Sequence, residues 1–248
     1  MKRVSALIVS LFLCFLIVSC SSGESASQKY EGSGWETPEE AVRSYLDGFK
    51  NADLKKMISS FAIETYVDSY NFEAQLDRTK VFTLSMEIRF PNANDFFKSI
   101  NVETRKEKIV TSICFQFSSY YFPEYNVGLN LLFDGENSVD FEEFIDRYNS
   151  STLIPASSFE FTNFLEPSEI AEHYASERNQ ENINQLARIY GADTMKSMVA
   201  SFKIAGKPYI LCCDVLRYGE KWYLSSLGGN IGALLSVPIY NGGLAAEP

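Results

Sequence analysis

The run GKPYILCCDVLRYGEKWYLSSL, residues 206–227, decides the fold class. Tyr209 to Tyr218 is dense in the aliphatic, aromatic and thiol side chains that suit a strand. Gly219-Glu220-Lys221 is a hairpin-length loop, and Trp222 to Leu227 returns as a further strand. Upstream, Met198, Ala200, Phe202 and Ile204 alternate with Val199, Ser201 and Lys203, the period-two pattern of an extended chain, and Ala205-Gly206-Lys207 supplies the turn. Consecutive strands joined by such short loops form an antiparallel meander. Ile210, Cys212 and Leu216 share one face of the middle strand, and Leu211, Cys213 and Val215 the other, so the expectation is a strand covered on both sides. Asp214 has the parity of Ile210, Cys212, Leu216 and Tyr218, which sets a carboxylate on an apolar face, where its charged form is disfavoured.

Working outward, the N-terminal part reads as helix. Thr37 and Glu40 are spaced as a capping box, Pro38 opens the first turn, and Val42, Tyr45, Leu46 and Phe49 follow as one apolar stripe. Asn51 and Asp53 break and recap the chain before a second stripe of Leu54, Met57, Ile58 and Phe61. In residues 81–90, Phe82, Leu84, Met86, Ile88 and Phe90 alternate with polar residues, which predicts a strand, although Val81, Leu84 and Ile88 also fit a helix. Asn94 caps a further helical run. Val102, Ile109, Val110, Ile113, Cys114, Phe117 and Tyr121 then line one side of a long helix, Glu103, Arg105, Lys106 and Lys108 the other, and Pro123 stops it. A short helix follows with Phe141, Phe144, Ile145 and Tyr148 turned inward. NSSTLIPASS, residues 149–158, is a seam, after which Phe159 and Phe161 begin a strand.

From Pro167 a second helix pair is expected, at 170–174 and 183–190, closed by Gly191. It aligns without gaps on the first pair, Pro38 on Pro167 and Tyr45 on Tyr174, either by duplication or because caps and stripes are generic. The fold class is therefore α+β: a mainly helical region, 36–150, and an α+β region, 151–248, with an antiparallel meander packed with helices. The two regions form one domain or two.

The N-terminus opens MKR, continues with mostly apolar residues from Val4 to Val18, and reaches Ser19 and Cys20, the layout of a secretory signal over residues 1–19. That run is shorter than the roughly 20 residues a membrane-spanning helix needs. Ile17-Val18-Ser19-Cys20 resembles the lipobox of bacterial lipoproteins, with Ile and Ser where the commonest form has Leu and Gly or Ala. The resemblance implies lipidation of Cys20, cleavage before it, and attachment to a bacterial membrane, facing outside the cytoplasm. An ordinary secretory signal with an incidental cysteine is the alternative. Residues 20–35 are small and polar and read as a flexible tether with a reach of roughly 20 Å. The formal charge is −10, and removal of the leader takes Lys2 and Arg3 but no acid, so the body is repelled by nucleic acid and by anionic lipid headgroups. Membrane contact is expected through the N-terminal lipid alone, with no nucleic-acid partner.

The capped helix pair and the meander with its Gly219-Glu220-Lys221-Trp222-Tyr223 hairpin together resemble the nuclear-transport-factor-like cone fold found in many small bacterial lipoproteins. The resemblance implies a cone-like sheet around a hydrophobic mouth; it names no activity, since that fold hosts enzymes and binders alike. It leaves the helical stretch from Glu64 to Tyr148 without a counterpart.

Candidate chemistry is sparse. Asp214, Tyr218 and Trp222 are the candidate binding residues of such a mouth; cone-fold isomerases place an Asp and a Tyr there, but no motif carries those roles over, so no catalytic residue is assigned. His173, with Glu169 and Glu177 four residues to either side, reads as a solvated helix-face residue. Asp134, Glu136, Asp140, Glu142 and Glu143 fail the EF-hand spacing and suit a helix start. GGNIGALL, residues 228–235, lacks the Lys-Ser/Thr of a phosphate loop and reads as a turn into a packed tail, with Asn241-Gly242-Gly243 a later turn. Cys114, Cys212 and Cys213 read as buried free thiols, a bridge from Cys114 to either of the others being the alternative. No metal and no cofactor is expected. The function this supports is a non-catalytic lipoprotein binding a small ligand or an envelope protein; the alternative is an envelope isomerase or hydrolase using Asp214.

Overall fold

The computed structural model describes residues 29–83, 86–122, 133 and 139–247. Helix α1, Pro38–Lys50, starts as its sequence demands: the Thr37 hydroxyl accepts from the Glu40 amide at 3.2 Å, and the Glu40 carboxylate accepts from the Thr37 amide at 3.3 Å. Ala41, Val42, Tyr45, Leu46 and Phe49 form its buried face. Asp53 caps α2, Leu54–Ser59, which buries Met57 but leaves Leu54 exposed.

The third helix, α3, Glu64–Ser69, has no side-chain cap of its own. Its free amides are met from a distance: Glu31 accepts from the amides of Ile63 and Thr65, each at 2.9 Å, and from the Thr65 hydroxyl at 2.5 Å. The Glu64 carboxylate in turn accepts from the amides of Tyr30 and Glu31, at 2.7 and 3.1 Å. This is a capping box made between segments remote in sequence, and it satisfies the same orphan donors. The Gly32 amide donates to Ser59 O, and Trp35 exchanges two backbone bonds with Trp222, at 2.8 and 3.1 Å. Residues 29–35, expected to belong to the tether, are thus pinned to the body.

Helices α4, Phe72–Thr79, and α5, Asp95–Tyr121, follow, the latter capped by Asn94 as expected. Between them the expected strand at 81–90 does not form; its described residues are irregular. Alternation alone supplies no neighbour to pair with, and the polar and apolar residues here are engaged singly: Glu87 with Arg105 and Lys108, Ile88 in the core. The buried face of α5 is Asn101, Val102, Arg105, Ile109, Ile113, Gln116 and Ser119. Arg105, read as a solvent-side residue, is 3% exposed, while Cys114, read as buried, is exposed. Helix α6, Phe141–Ser150, is present, but Phe141 and Tyr148 are more than half exposed, each touching only the rim of a ring cluster through Phe133 and Phe122.

Strand β1, Phe159–Leu165, precedes a corner that differs from the sequence expectation. Helix α7, Pro167–Ile170, lasts one turn, Tyr174 lies in a turn, and α8, Glu177–Ile189, is a full helix capped by Ser176. The first corner is a long helix then a short one; this is the reverse, so the two corners do not share a structure. The meander follows: β2, Thr194–Ile204; β3, Lys207–Tyr218; β4, Lys221–Leu227. GGNIGALL holds a short helix, α9, Gly229–Leu234, rather than a plain turn, and β5, Leu244–Ala246, follows it. The sheet is antiparallel, in the order β1-β2-β3-β4. β5 pairs with the beginning of β3 where β4 pairs with its end, and the two meet at Cys212, whose amide donates to Gly243 O while its carbonyl accepts from Gly228 N.

The architecture is α+β. One core joins both regions expected from the sequence, running from Val42 and Phe49 through Ile109 and Ile113 to Phe202, Leu211 and Leu224. A smaller cluster of Ala171, Val199, Ile210, Cys212 and Ile231 covers the opposite face of the sheet, so β3 is buried on both sides as expected. Cys212 and Cys213 are buried free thiols.

Phe49 is 2% exposed and stacks at 4.9 Å on Phe117, with Phe159 and Phe202 alongside. Phe49→Ala is expected to lower stability by about 3–5 kcal/mol in urea unfolding, and Phe96→Ala, at a site 69% exposed, by less than about 0.5 kcal/mol. Glu31→Ala is expected to cost about 1–2 kcal/mol and to make residues 29–35 susceptible to limited proteolysis, since the remote cap is lost.

Candidate functional site

A small crevice opens where α5, α3 and the edge strand β4 meet, with a cavity volume of about 60 Å³. The spacing of α5 brings Arg105, Lys108, Ile109 and Ser112 to one side of it. Tyr66 comes from α3, Tyr190 from the end of α8, and Glu87 from the irregular segment. The wall opposite α5 is a β-bulge. Val215 pairs with Leu224 and Asp214 with Ser226, so Ser225 is the extra residue and its carbonyl is free of the ladder.

That carbonyl is taken by Arg105. Its Nη2 donates to Ser225 O at 2.6 Å, Nε to Ala62 O at 3.2 Å, and Nη1 to Glu87 Oε1 at 2.7 Å, while the guanidinium lies 4.0 Å over the Tyr66 ring. Burial alone would lower the pKa of Arg105, but Glu87 outweighs it and leaves the pKa raised. Burial likewise opposes the Glu87 charge, and Arg105 and Lys108 overcome it, holding that carboxyl below the usual range. Both are charged at neutral pH. Burial, with Glu87 nearby, pushes the phenols of Tyr66 and Tyr190 well up, so they remain protonated donors. Neither hydroxyl makes a hydrogen bond among the described residues.

The residues singled out from the sequence do not converge. Asp214 is 3% exposed and does not line the crevice. It accepts from Ser197 Oγ at 2.7 Å, from the Asn230 amide at 2.8 Å and from Ser226 Oγ at 3.4 Å. Burial pushes its pKa up to about 6, the three donors restraining the rise. Gly229 is obligatory beside it: φ is +58°, and a Cβ there would fall 2.1 Å from Asp214 Oδ2. Tyr218 donates to the Tyr190 carbonyl at 2.9 Å. Trp222 is buried, with the Lys196 ammonium 5.3 Å from its ring, and serves the clamp with Trp35. The link between Asp214 and the crevice is Ser226, which borders both. His173 lies exposed in a turn, not on a helix, because the helix expected there ends at Ile170. Asp140 caps α6, while Asp134 and Glu136 lie outside the described residues, as does Cys20.

Sequence reasoning missed Arg105, Tyr66, Glu87 and Tyr190. The signal for Arg105 was its place in the series Val102, Arg105, Ile109, Ile113, Gln116, which keeps helical spacing through two polar residues. Tyr66 and Tyr190 lay in weakly patterned or terminal positions, and nothing local marks them.

Among solved structures, the chain is similar to a cystatin-like protein from Ruminococcus gnavus, at 15% identity and a TM-score of 0.47, over 85% of this chain and 44% of that one. It thus spans less than half of that protein's length. No family model and no curated protein matches the sequence.

The folded protein holds the Asp214 proton to higher pH than the unfolded chain does, so ionising this carboxyl disfavours the fold. Relative to Asp214→Asn, wild-type stability is expected to fall by about 3 kcal/mol as pH rises from about 4 through about 6, and to level off above that, measured by denaturant unfolding at each pH.

Proposed function

We propose that this protein is a lipoprotein of a bacterial cell envelope, acylated on Cys20, facing outside the cytoplasm, and acting by binding a small ligand or an envelope protein rather than by catalysis. The observation that carries the reading is Ile17-Val18-Ser19-Cys20 at the end of an apolar run, followed by a short polar stretch leading into a body that is anchored from Tyr30 onward. Nine residues separate Cys20 from Tyr30, so the lipid would hold the body close to the bilayer. Two acyl chains anchor stably where one is marginal. No helix among the described residues is long and apolar enough to cross a membrane.

The binding part of the proposal draws on the crevice, which combines buried charge with hydroxyls that have no partner among the described residues. The enzymatic alternative has one supporting feature, the raised pKa of Asp214, which would suit proton transfer. Against it, three donors hold that carboxylate and it has no direct face on the crevice.

In cells fed an alkyne fatty acid, the wild-type chain is expected to take up label and to partition with membranes. Cys20→Ala is expected to lose both while remaining folded by circular dichroism. Label retained in the variant, or a native intact mass with no acyl addition, overturns the lipid anchor.

A further inference from the structure

The crevice beside Arg105 is rich in donors and poor in acceptors. A guanidinium carries five N–H donors. Arg105 spends one on each of Ala62 O, Glu87 Oε1 and Ser225 O, which leaves one N–H on each terminal nitrogen. Lys108 donates once, to Glu87 Oε2 at 2.7 Å, and keeps two further N–H groups. The Tyr66 and Tyr190 hydroxyls donate to nothing among the described residues. On the other side of the ledger, both Glu87 oxygens are engaged, Ser112 Oγ is turned to Lys108 O, and Ser226 Oγ to Asp214. The lining itself carries two cations, Arg105 and Lys108, against the one carboxylate of Glu87, with the Asp214 carboxyl set behind Ser226. Tyr66 is 2% exposed as a residue, yet its hydroxyl is not among the buried atoms left without a partner, so the small exposed part of the side chain includes the hydroxyl, within reach of a bound acceptor in the crevice.

We infer that this crevice binds a small carboxylate, with the carboxylate oxygens accepting from Tyr66, Tyr190 and the spare N–H groups of Arg105. A monoanion balances the charge of the lining residues and supplies acceptors without donors; a neutral amide brings donors the site cannot use. The cavity, about 60 Å³ and open to solvent, has room for a carboxyl group and a short apolar stub against Phe61, Ile109 and Leu227. The site therefore takes a short-chain carboxylic acid or the carboxyl end of a longer molecule. This deepens the binding-protein reading above and is independent of the lipid anchor, since acylation of Cys20 can fail while the titration below succeeds, and the reverse.

The test uses the purified full chain and sodium acetate as probe, with sodium chloride holding ionic strength constant, and reads saturation transfer to the acetate methyl protons and the melting temperature. Saturable binding is expected, with acetamide ineffective and inorganic phosphate a poor competitor. Tyr66→Phe and Tyr190→Phe, which remove only a hydroxyl, are expected to weaken acetate binding about tenfold each, as loss of a hydrogen bond to a charged group does. Tyr70→Phe, a ring packed on Tyr66 outside the crevice lining, is expected to leave binding unchanged. If Tyr66→Phe does not fold, Tyr190→Phe decides the matter alone. No saturable acetate signal, equal binding of acetamide, equal competition by phosphate, or full affinity in the phenylalanine variants each overturns the assignment.

Discussion

A guanidinium almost wholly withdrawn from solvent organises this structure. Removing Arg105 from water is costly unless every partner is in place, and its partners come from three otherwise unrelated places: the link between α2 and α3 at Ala62, the bulge of β4 at Ser225, and the irregular stretch at Glu87. The bulge is what makes the arrangement workable. Doubling a residue in β4 turns one carbonyl out of the ladder, and that carbonyl is offered to the charge. The same neighbourhood closes the sheet edge, because the Ala62 amide donates to Leu224 O and the Leu224 amide to Ser60 O. An edge strand that would otherwise offer unpaired backbone groups is covered by the protein's own chain.

Around this polar knot the remaining interior is conventional. Aromatic rings from α1, α5, β1 and β2 meet at Phe49, Phe117, Phe159 and Phe202 on one face of the sheet, and small aliphatic residues fill the other. Asp214 sits at the boundary of the second cluster, tolerated because two serines and a backbone amide solvate it. The two thiols on β3 are held in the apolar interior. Burial, with Asp214 adding its charge, lifts the pKa of Cys212 to about 12, so its thiolate form is disfavoured at neutral pH.

The meander was legible because period-two alternation and glycine turns are local signals, and α1 was legible because capping box and stripe both lie within four turns of chain. The irregular segment at 81–90 shows the limit. Its alternation matches a strand, but a strand needs an unoccupied edge beside it, and the edge of β4 is occupied by residues 60–62, which no reading of residues 81–90 can reveal. The α6 stripe fails in the same way, since amphipathic spacing predicts a face and says nothing of what covers it. Arg105 was hidden by an assumption about charge: on α5 it keeps step with Val102 and Ile109, and the spacing was the better guide. The crevice itself joins α3, α5, α8 and β4, so no single stretch could announce it, and Asp214, the residue the sequence made most conspicuous, proves to be a neighbour of the crevice and not part of its lining.

The remote partnerships bear on how quickly the chain reaches its native form. Arg105 and Ser225 are separated by 120 positions, Trp35 is stitched to Trp222, and β3 is completed only by β5. Contacts of this span form slowly, because chain entropy must be surrendered before they repay it. The first helices leave the ribosome before the strands they pack against, so their apolar faces are made ahead of the partners that cover them.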